Sequence, residues 1–212
     1  MAASAAERSS CWLKVRATTP SAVLAAQKLV NQDRFFLMAD HIGTAHNNAA
    51  MPVQFEKNVI SYLPITAARE VFEPFHKLKY AFAATYFDPI RTALPSLMKQ
   101  KGSKKVCTLY EDDEFGLEVK RGAEAALKAM GQELVKKTSY KRGATDFSSQ
   151  LAKMKAAGCD LVVLGTIIRQ TIGAIGESRK TGFNPPSWDQ VRPTPTSSTS
   201  WAASPWTACT PP

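Results

Sequence analysis

VCTLYEDDEFG (residues 106–116), ELVKKTSY (133–140) and DFSSQLAKMKAAGCDLVVLGT (146–166) are the segments that decide the fold of this 212-residue chain. Short β-branched runs alternate there with stretches of helical period, and Gly, Asp or Asn stands at nearly every junction. Such alternation predicts strand–helix–strand units, in which parallel strands are joined by helical crossovers. The fold class that follows is α/β.

The same alternation extends toward both ends of the chain. Gly131 and Gly182 each follow a helical stretch, where glycine commonly ends a helix, and Asp146 precedes another as its cap. We predict helices over residues 22–33, 45–57, 89–101, 114–130, 147–157 and 167–181, and strands over residues 34–39, 59–63, 80–83, 106–110, 134–138 and 161–164.

Composition and charge exclude several classes of function. The net charge of +9 comes from basic residues placed mostly on the outer faces of predicted helices, such as Lys120 and Lys153. A nucleic-acid partner is not expected, because such a site would cluster basic and aromatic residues on one face. We also expect no membrane insertion, since no span of about twenty apolar residues occurs. Residues 1–12 show no secretory signal, for which a basic region would precede an apolar one.

The cysteines and histidines suggest no metal site. Cys107 lies inside a predicted buried strand and Cys159 just before another, so we interpret both as small apolar core residues. His41 and His46 lie close in sequence, but they have no partners at ligand spacing, and we interpret them as surface residues. No metal and no cofactor are expected.

Three strand-to-helix junctions are candidate ligand loops. In a doubly wound sheet, ligands bind beyond the carboxyl ends of the strands, near helix N-termini that attract a carboxylate. HIGTAHNN (residues 41–48) offers Gly43 and the Thr44 hydroxyl, and LPITAAR (63–69) offers Thr66 with the amides that follow it. EDDEFG (111–116) places Phe115 after a strand, beside a glycine that we expect to be flexible. Each junction taken alone is also typical of a simple cap or turn.

No catalytic residues are expected. The acidic run at residues 111–114 supplies consecutive carboxylates, which converge on one point only if the backbone folds around them. No nucleophile–base pair or phosphate-binding loop occurs. Arg69 or Lys77 is able to pair with an anionic solute, but solvated positions are more typical of such residues.

Over residues 21–185 the ordered motifs closely resemble the branched-chain amino-acid-type (Leu/Ile/Val-binding-like) substrate-binding proteins of ABC importers. The resemblance implies a two-lobed type I periplasmic-binding fold, here incomplete, with Rossmann-like parallel sheets flanked by helices. It also implies an extracytoplasmic protein that binds an amino acid or related small organic solute between its lobes and delivers it to ABC permease subunits. A periplasmic or cell-envelope location follows from the resemblance alone.

The resemblance also assigns site residues. It implies that Thr44 and the Thr66–Ala67 pair hold the solute's α-carboxylate from the first lobe. Phe115 stands where the family often has a tyrosine facing the solute from the second lobe, and Ile167 falls where some members carry another. Tyr86, at the crossing between the lobes, either flanks the cleft or belongs to the core.

The chain departs from the amino-acid-specific members of the family at one position. Those members pair the solute's ammonium group with an acid after the next strand, which falls here in residues 186–212. An aromatic acid, an amide or a urea-like compound is therefore as plausible a solute as a branched-chain amino acid.

Both ends of the chain lose the family's pattern. After Pro185 the sequence is rich in Pro, Ser and Thr without a period. Re-read two bases on with permitted codons, residues 186–212 resemble the family's continuation, and residues 1–19 treated likewise resemble the segment before the first helix. We interpret residues 1–20 and 186–212 as frame-shifted, non-native or disordered tails. Residues 21–87 then form a partial first lobe and residues 88–185 a second lobe.

The missing strands of the first lobe have two expected consequences. Apolar sheet edges stay unpaired, which favours aggregation, and this polypeptide binds solute weakly or not at all. A cytoplasmic sensor of the same fold and a non-functional gene fragment remain as alternative interpretations.

Overall fold

The structure is a computed structural model that describes residues 19–185 and the backbone of residues 187–189. Within this part of the chain, helices and parallel strands alternate as the sequence predicts. The helices are α1 (Thr19–Gln27), α2 (Thr44–Glu56), α3 (Phe87–Lys101), α4 (Glu114–Ala129), α5 (Ser148–Ala156) and α6 (Ile168–Lys180). The strands are β1 (Leu37–Ala39), β2 (Ile60–Tyr62), β3 (Lys79–Tyr80), β4 (Val106–Glu111), β5 (Lys136–Tyr140), β6 (Leu161–Gly165) and β7 (Ser187–Asp189).

The first sheet has three parallel strands in the order β1-β2-β3. Ser61 of β2 is buried, whereas its neighbour Tyr62 is exposed and lies opposite Tyr80 of β3, with ring centroids 6.3 Å apart. Phe82, just after β3, is also exposed. This lobe therefore leaves aromatic side chains in contact with solvent.

The second sheet has four parallel strands in the order β5-β4-β6-β7, and its core lies on both faces. Every residue of β6 is buried, as expected for a parallel strand covered by helices on two sides. One core cluster joins β4 and β6 to α3 and α4, and the other joins the same strands to α5 and α6. Successive side chains of a strand point to opposite faces, so Val106 enters the first cluster and Cys107 the second.

Most predicted elements are present, with differences in their bounds. The fifth strand was predicted over residues 134–138 but pairs with β4 over residues 136–140, and the buried Leu134 precedes the paired segment. Residues 187–189 form a strand against β6, inside the segment interpreted as a tail. Helix α1 begins at Thr19, before the predicted start of the first lobe. The remainder of both proposed tails lies outside the described residues.

The interpretation of Cys107 and Cys159 as unpaired core residues is wrong, because the two form a disulfide. Cys107 is fully buried in β4, and Cys159 precedes β6, the strand that pairs with β4. Their Cα atoms are 5.9 Å apart across 52 residues of sequence. The sequence separation alone gave no sign of this pairing, since neighbouring strands of a parallel sheet are distant in sequence.

We predict that reduction of this disulfide destabilises the second lobe. Closing a loop of this length restricts the unfolded chain, and removing such a bridge costs about 2–4 kcal/mol of unfolding free energy. The measurement is guanidinium unfolding with and without reductant, for the native chain and for the double variant Cys107→Ala/Cys159→Ala. The double variant is expected to ignore reductant; an equal response in both proteins contradicts the bridge.

No helix among the described residues is both long and apolar enough to cross a membrane.

Candidate functional site

Two loops of the first sheet run side by side at the carboxyl ends of β1 and β2. Ile42 and Ile65 form a parallel bridge, and the Gly43 N–H donates a hydrogen bond to the Ile65 carbonyl at 3.3 Å. Gly43 has φ of 103°, a value that side chains other than hydrogen rarely allow, and α2 begins directly after it. The chain therefore turns sharply at Gly43 and brings Thr44 next to the second loop.

Four of the six predicted site residues form one contact cluster. The Oγ1 atoms of Thr44 and Thr66 lie 2.8 Å apart, and both side chains are buried. The Thr66 Oγ1 is also 3.4 Å from the Tyr86 hydroxyl oxygen. The Tyr86 ring packs edge-on against Phe115, with centroids 4.8 Å apart. The cluster joins the two loops of the first sheet to the start of α4 above the second sheet.

The loop that carries Thr66 is held by hydrogen bonds that involve backbone groups. The Thr66 Oγ1 accepts a hydrogen bond from the Ala68 N–H at 3.3 Å, and the Ala67 carbonyl accepts one from the Tyr86 N–H at 2.9 Å. Ala67, the fifth predicted residue, therefore contributes through its backbone and fixes Tyr86 beside the loop.

Ile167, the sixth, is not part of this cluster. It precedes α6 and accepts hydrogen bonds at its carbonyl from the backbone and hydroxyl of Thr171. Its side chain is 36% exposed. Because β4 and β6 are neighbours, Ile167 and Phe115 both follow strand ends at the same edge of the second sheet.

A buried polar group under the first loop was not predicted. The Asn47 side-chain N–H group donates to the carbonyls of His41 and Gly43, at 3.0 and 2.6 Å, and so fixes the turn before Thr44. The nearby Gln54 Nε2 lies 3.5 Å from the His41 Nε2. A polar residue three positions into a predicted helix, after a glycine turn, is the sequence signal for such a support.

His41 and His46, interpreted as surface residues, are half-buried. The Nδ1 atoms of both rings are shielded from solvent. Burial lowers the pKa of His41 to about 4, against a smaller opposing effect of Asp40. His41 is therefore neutral near pH 7 and adds no charge to the site.

Gly116 is required for close packing rather than for flexibility, so the expectation of a flexible glycine is wrong. A Cβ atom at this position would overlap the Glu111 carbonyl oxygen and approach the Glu111 nitrogen to 2.7 Å. The Gly116 N–H donates to the Asp113 side chain at 3.0 Å, which caps α4. The end of β4 and the start of α4 are thus pressed together, and this fixes the neighbouring Phe115.

Two members of the acidic run converge on one cation. The Arg142 Nε lies 3.0 Å from a Glu111 oxygen, and its Nη2 lies 2.7 Å from an Asp113 oxygen. Burial and the nearby Asp113 raise the pKa of the Glu111 carboxyl, while Arg142 lowers it. The backbone between β4 and α4 folds around the guanidinium group, and the cluster braces this turn.

Among the described residues, no group of three or more His, Cys, Asp or Glu side chains is placed to hold a metal ion. Hydroxyl groups, backbone amides and two aromatic rings are the chemical groups of the cluster. They are suited to binding a small polar molecule that also carries an apolar body.

Comparison with known proteins identifies the family. The family model of the periplasmic binding proteins matches residues 16–205. The chain therefore belongs to the periplasmic binding protein family, and its fold is the two-lobed type I fold expected from the sequence.

Individual relatives agree with this result. Leu/Ile/Val-binding protein homolog 7 of Brucella suis biovar 1 is 29% identical over 91 residues, which cover 43% of this chain and 23% of that protein. The leucine binding protein LivK of Thermotoga maritima superposes with a TM-score of 0.78 at 17% identity, over 84% of this chain and 50% of that one. A solute binding protein of R. palustris in complex with benzoate superposes with a TM-score of 0.73 at 17% identity, over 81% and 48%. The chain thus spans about half or less of the length of these proteins.

We predict that Gly116→Ala strongly destabilises the second lobe. The new methyl group overlaps backbone atoms, which cannot move without breaking the β4–α4 turn. The free energy of unfolding is therefore expected to fall by about 3 kcal/mol or more. Gly176→Ala in α6 is the matched control, because nothing lies within 4 Å of its Cβ position. The control is expected to gain up to about 1 kcal/mol from helix propensity. Equal midpoints of thermal unfolding for the two variants would refute the close packing at Gly116.

Proposed function

We propose that the chain derives from the solute-binding component of an ABC importer and that its site takes a small organic carboxylate between the lobes. The observation that carries the proposal is the Thr44–Thr66–Tyr86–Phe115 cluster, in which residues from both lobes meet at the carboxyl ends of parallel strands. Ligands of such folds bind at this edge.

The chemistry of the cluster supports a carboxylate with an apolar or aromatic body. The Thr44 and Thr66 hydroxyls bond to each other, and a carboxylate inserted between them would accept a hydrogen bond from each. Tyr86 is half-buried and offers ring surface to the rest of the solute, while the buried Phe115 supports the Tyr86 ring edge-on. Arg69 pairs with Glu73 at 3.3 Å, and we propose that hydroxyls and amides, rather than an ion pair, hold the carboxylate.

The proposed solutes are taken from those of solved proteins that share this fold. Solved proteins with this fold include one described as binding leucine and one in complex with benzoate. An amino acid and an aromatic acid share the carboxylate, which is the part that the first-lobe loops are suited to hold. We therefore propose the carboxylate class as the solute.

The disulfide supports an extracytoplasmic protein over a cytoplasmic sensor of the same fold. Buried disulfides persist in oxidising compartments, whereas the cytosol of most organisms keeps thiols reduced. In the periplasm or cell envelope the binding component would deliver its solute to the permease subunits of the importer.

Weak binding is proposed for this polypeptide itself. Its first sheet has three short strands among the described residues, and the chain spans about half the length of the solved structures it matches.

The proposal predicts that benzoate or leucine perturbs the amide signals of Thr44 and Thr66 in a two-dimensional NMR titration. Thr66→Val removes a hydroxyl that bonds to the carboxylate, and about tenfold weaker binding is expected from the loss of one such bond. Thr92→Val is the control, since Thr92 is exposed on α3 and its hydroxyl bonds only to nearby helix carbonyls.

Two results would change the assignment. An undiminished response in Thr66→Val would remove this residue from the site. Micromolar affinity of the native chain, with a cooperative thermal shift, would show that the first lobe is complete enough to bind and would overturn the expectation of impairment.

A further inference from the structure

One face of α4 contacts the segments that join the two sheets. Phe115, Glu118 and Gly122 lie at positions i, i+3 and i+7 of the helix and therefore share a side. Phe115 packs on Tyr86, Glu118 accepts a hydrogen bond from the Arg69 N–H, and Gly122 leaves room for the Phe87 carbonyl. A Cβ atom at residue 122 would lie 2.9 Å from that carbonyl oxygen, so the approach is close.

Glu118 is an unusual residue on this face because it is acidic and only 7% exposed. Its Oε2 accepts a hydrogen bond from the Arg69 N–H at 3.3 Å. The two residues are 49 positions apart in sequence, and the bond joins the loop after β2 of the first sheet to helix α4 of the second. The Glu118 Oε1 is buried and makes no hydrogen bond to any described residue. The proposed binding contacts do not use this carboxyl group.

The partner of Glu118 is the end of the loop that carries Thr66. Thr66 Oγ1 accepts the Ala68 N–H, the Ala67 carbonyl accepts the Tyr86 N–H, and the Arg69 N–H reaches Glu118. Each residue of the loop from 66 to 69 therefore has a polar contact, and the contact at its end is made by the opposite lobe.

We propose that Glu118 is a positioning residue for solute binding, which holds the loop of residues 66–69 against α4 with a strength that depends on its protonation state. The inference rests on the proposed function, because the loop matters for binding only if Thr66 contacts the solute. The hydrogen bond itself is testable without any solute.

The surroundings of Glu118 favour its neutral form. Burial raises the pKa of Glu118 to about 7, and the nearby Glu70 carboxylate adds to this rise. The Arg69 amide, the Arg69 guanidinium and the Phe87 amide act in the opposite direction. The two charged residues that act on Glu118, Arg69 and Glu70, lie on the short helical turn Arg69–Val71 at the end of the loop. Because burial disfavours the carboxylate, the folded state binds the proton more tightly than the unfolded state, and the stability that Glu118 contributes is fully present below pH 4.5 and is lost as pH rises through 7. The hydrogen bond from the Arg69 N–H is stronger to the ionised carboxylate and offsets part of this loss.

The first experiment follows the Arg69 amide by NMR in the full chain as pH is varied from about 5 to about 8.5, a range that brackets the pKa of Glu118. The native protein is expected to show a titration of this signal with a midpoint near pH 7. Glu118→Gln keeps the size and the acceptor oxygen but cannot ionise, so the titration should disappear. Glu124→Gln is the control on the same helix, since Glu124 pairs with Lys137 on the surface at 2.7 Å.

A second measurement compares thermal unfolding of the same three proteins over the same pH range. The native chain and Glu124→Gln should lose stability relative to Glu118→Gln as pH rises toward 8. The difference between variants is the quantity to use, because His41 contributes in the opposite direction: its lowered pKa costs stability as pH falls below 6.5. If Glu118 had a structural role without titration, the stability difference between Glu118→Gln and the native chain would be the same at every pH.

The outcomes separate this inference from the proposed function. An Arg69 signal that does not titrate near pH 7, or that titrates unchanged in Glu118→Gln, overturns the inference. A Glu118-dependent titration, accompanied by a benzoate affinity that changes across the same pH range only when Glu118 is present, supports it. The same titration in a chain that binds neither benzoate nor leucine contradicts the proposed function instead, while the contact between the lobes stands.

Discussion

The approach of α4 to two stretches of backbone is the constraint on which the rest of the site depends. At Gly116 the helix touches the end of β4, and at Gly122 it touches the Phe87 carbonyl at the start of α3. These two contacts fix the position and rotation of the helix. They thereby bring Phe115 to Tyr86 and Glu118 to Arg69, and these two contacts join the helix to the loop and crossing segment that follow the first sheet.

The polar side chains around the site act mainly on backbone groups. Asn47 bonds to two carbonyls, Asp113 caps an amide, and Thr66 accepts the Ala68 amide. Buried polar groups need such partners, since an unpaired one costs free energy. The consequence is a set of loops that are held in shape before any solute arrives, which lowers the ordering cost of binding.

The sequence predicts the order of helices and strands and four residues of the contact cluster, but it does not predict the disulfide or the close packing of backbone. The run at Leu161–Gly165 is continuous and apolar because β6 is covered on both faces, and β4 (Val106–Glu111) is almost fully buried, so both strands are easy to recognise. The edge strand β5 alternates and includes exposed lysines, so its bounds were misplaced by two residues. The disulfide, the packing at Gly116 and the role of Glu118 join residues that are distant in sequence or depend on backbone distances, and a single sequence carries no direct signal for them.

The contact between Glu118 and Arg69 also has an evolutionary consequence. Glu118 bonds to the backbone N–H of residue 69, which every amino acid except proline possesses. Selection on this contact would therefore constrain the acid on α4 but leave the side chain at residue 69 free to drift. Paired substitutions, the usual trace of two touching residues, would not arise here. Among homologues, the expected record is a retained acid facing a variable position from which proline alone is missing.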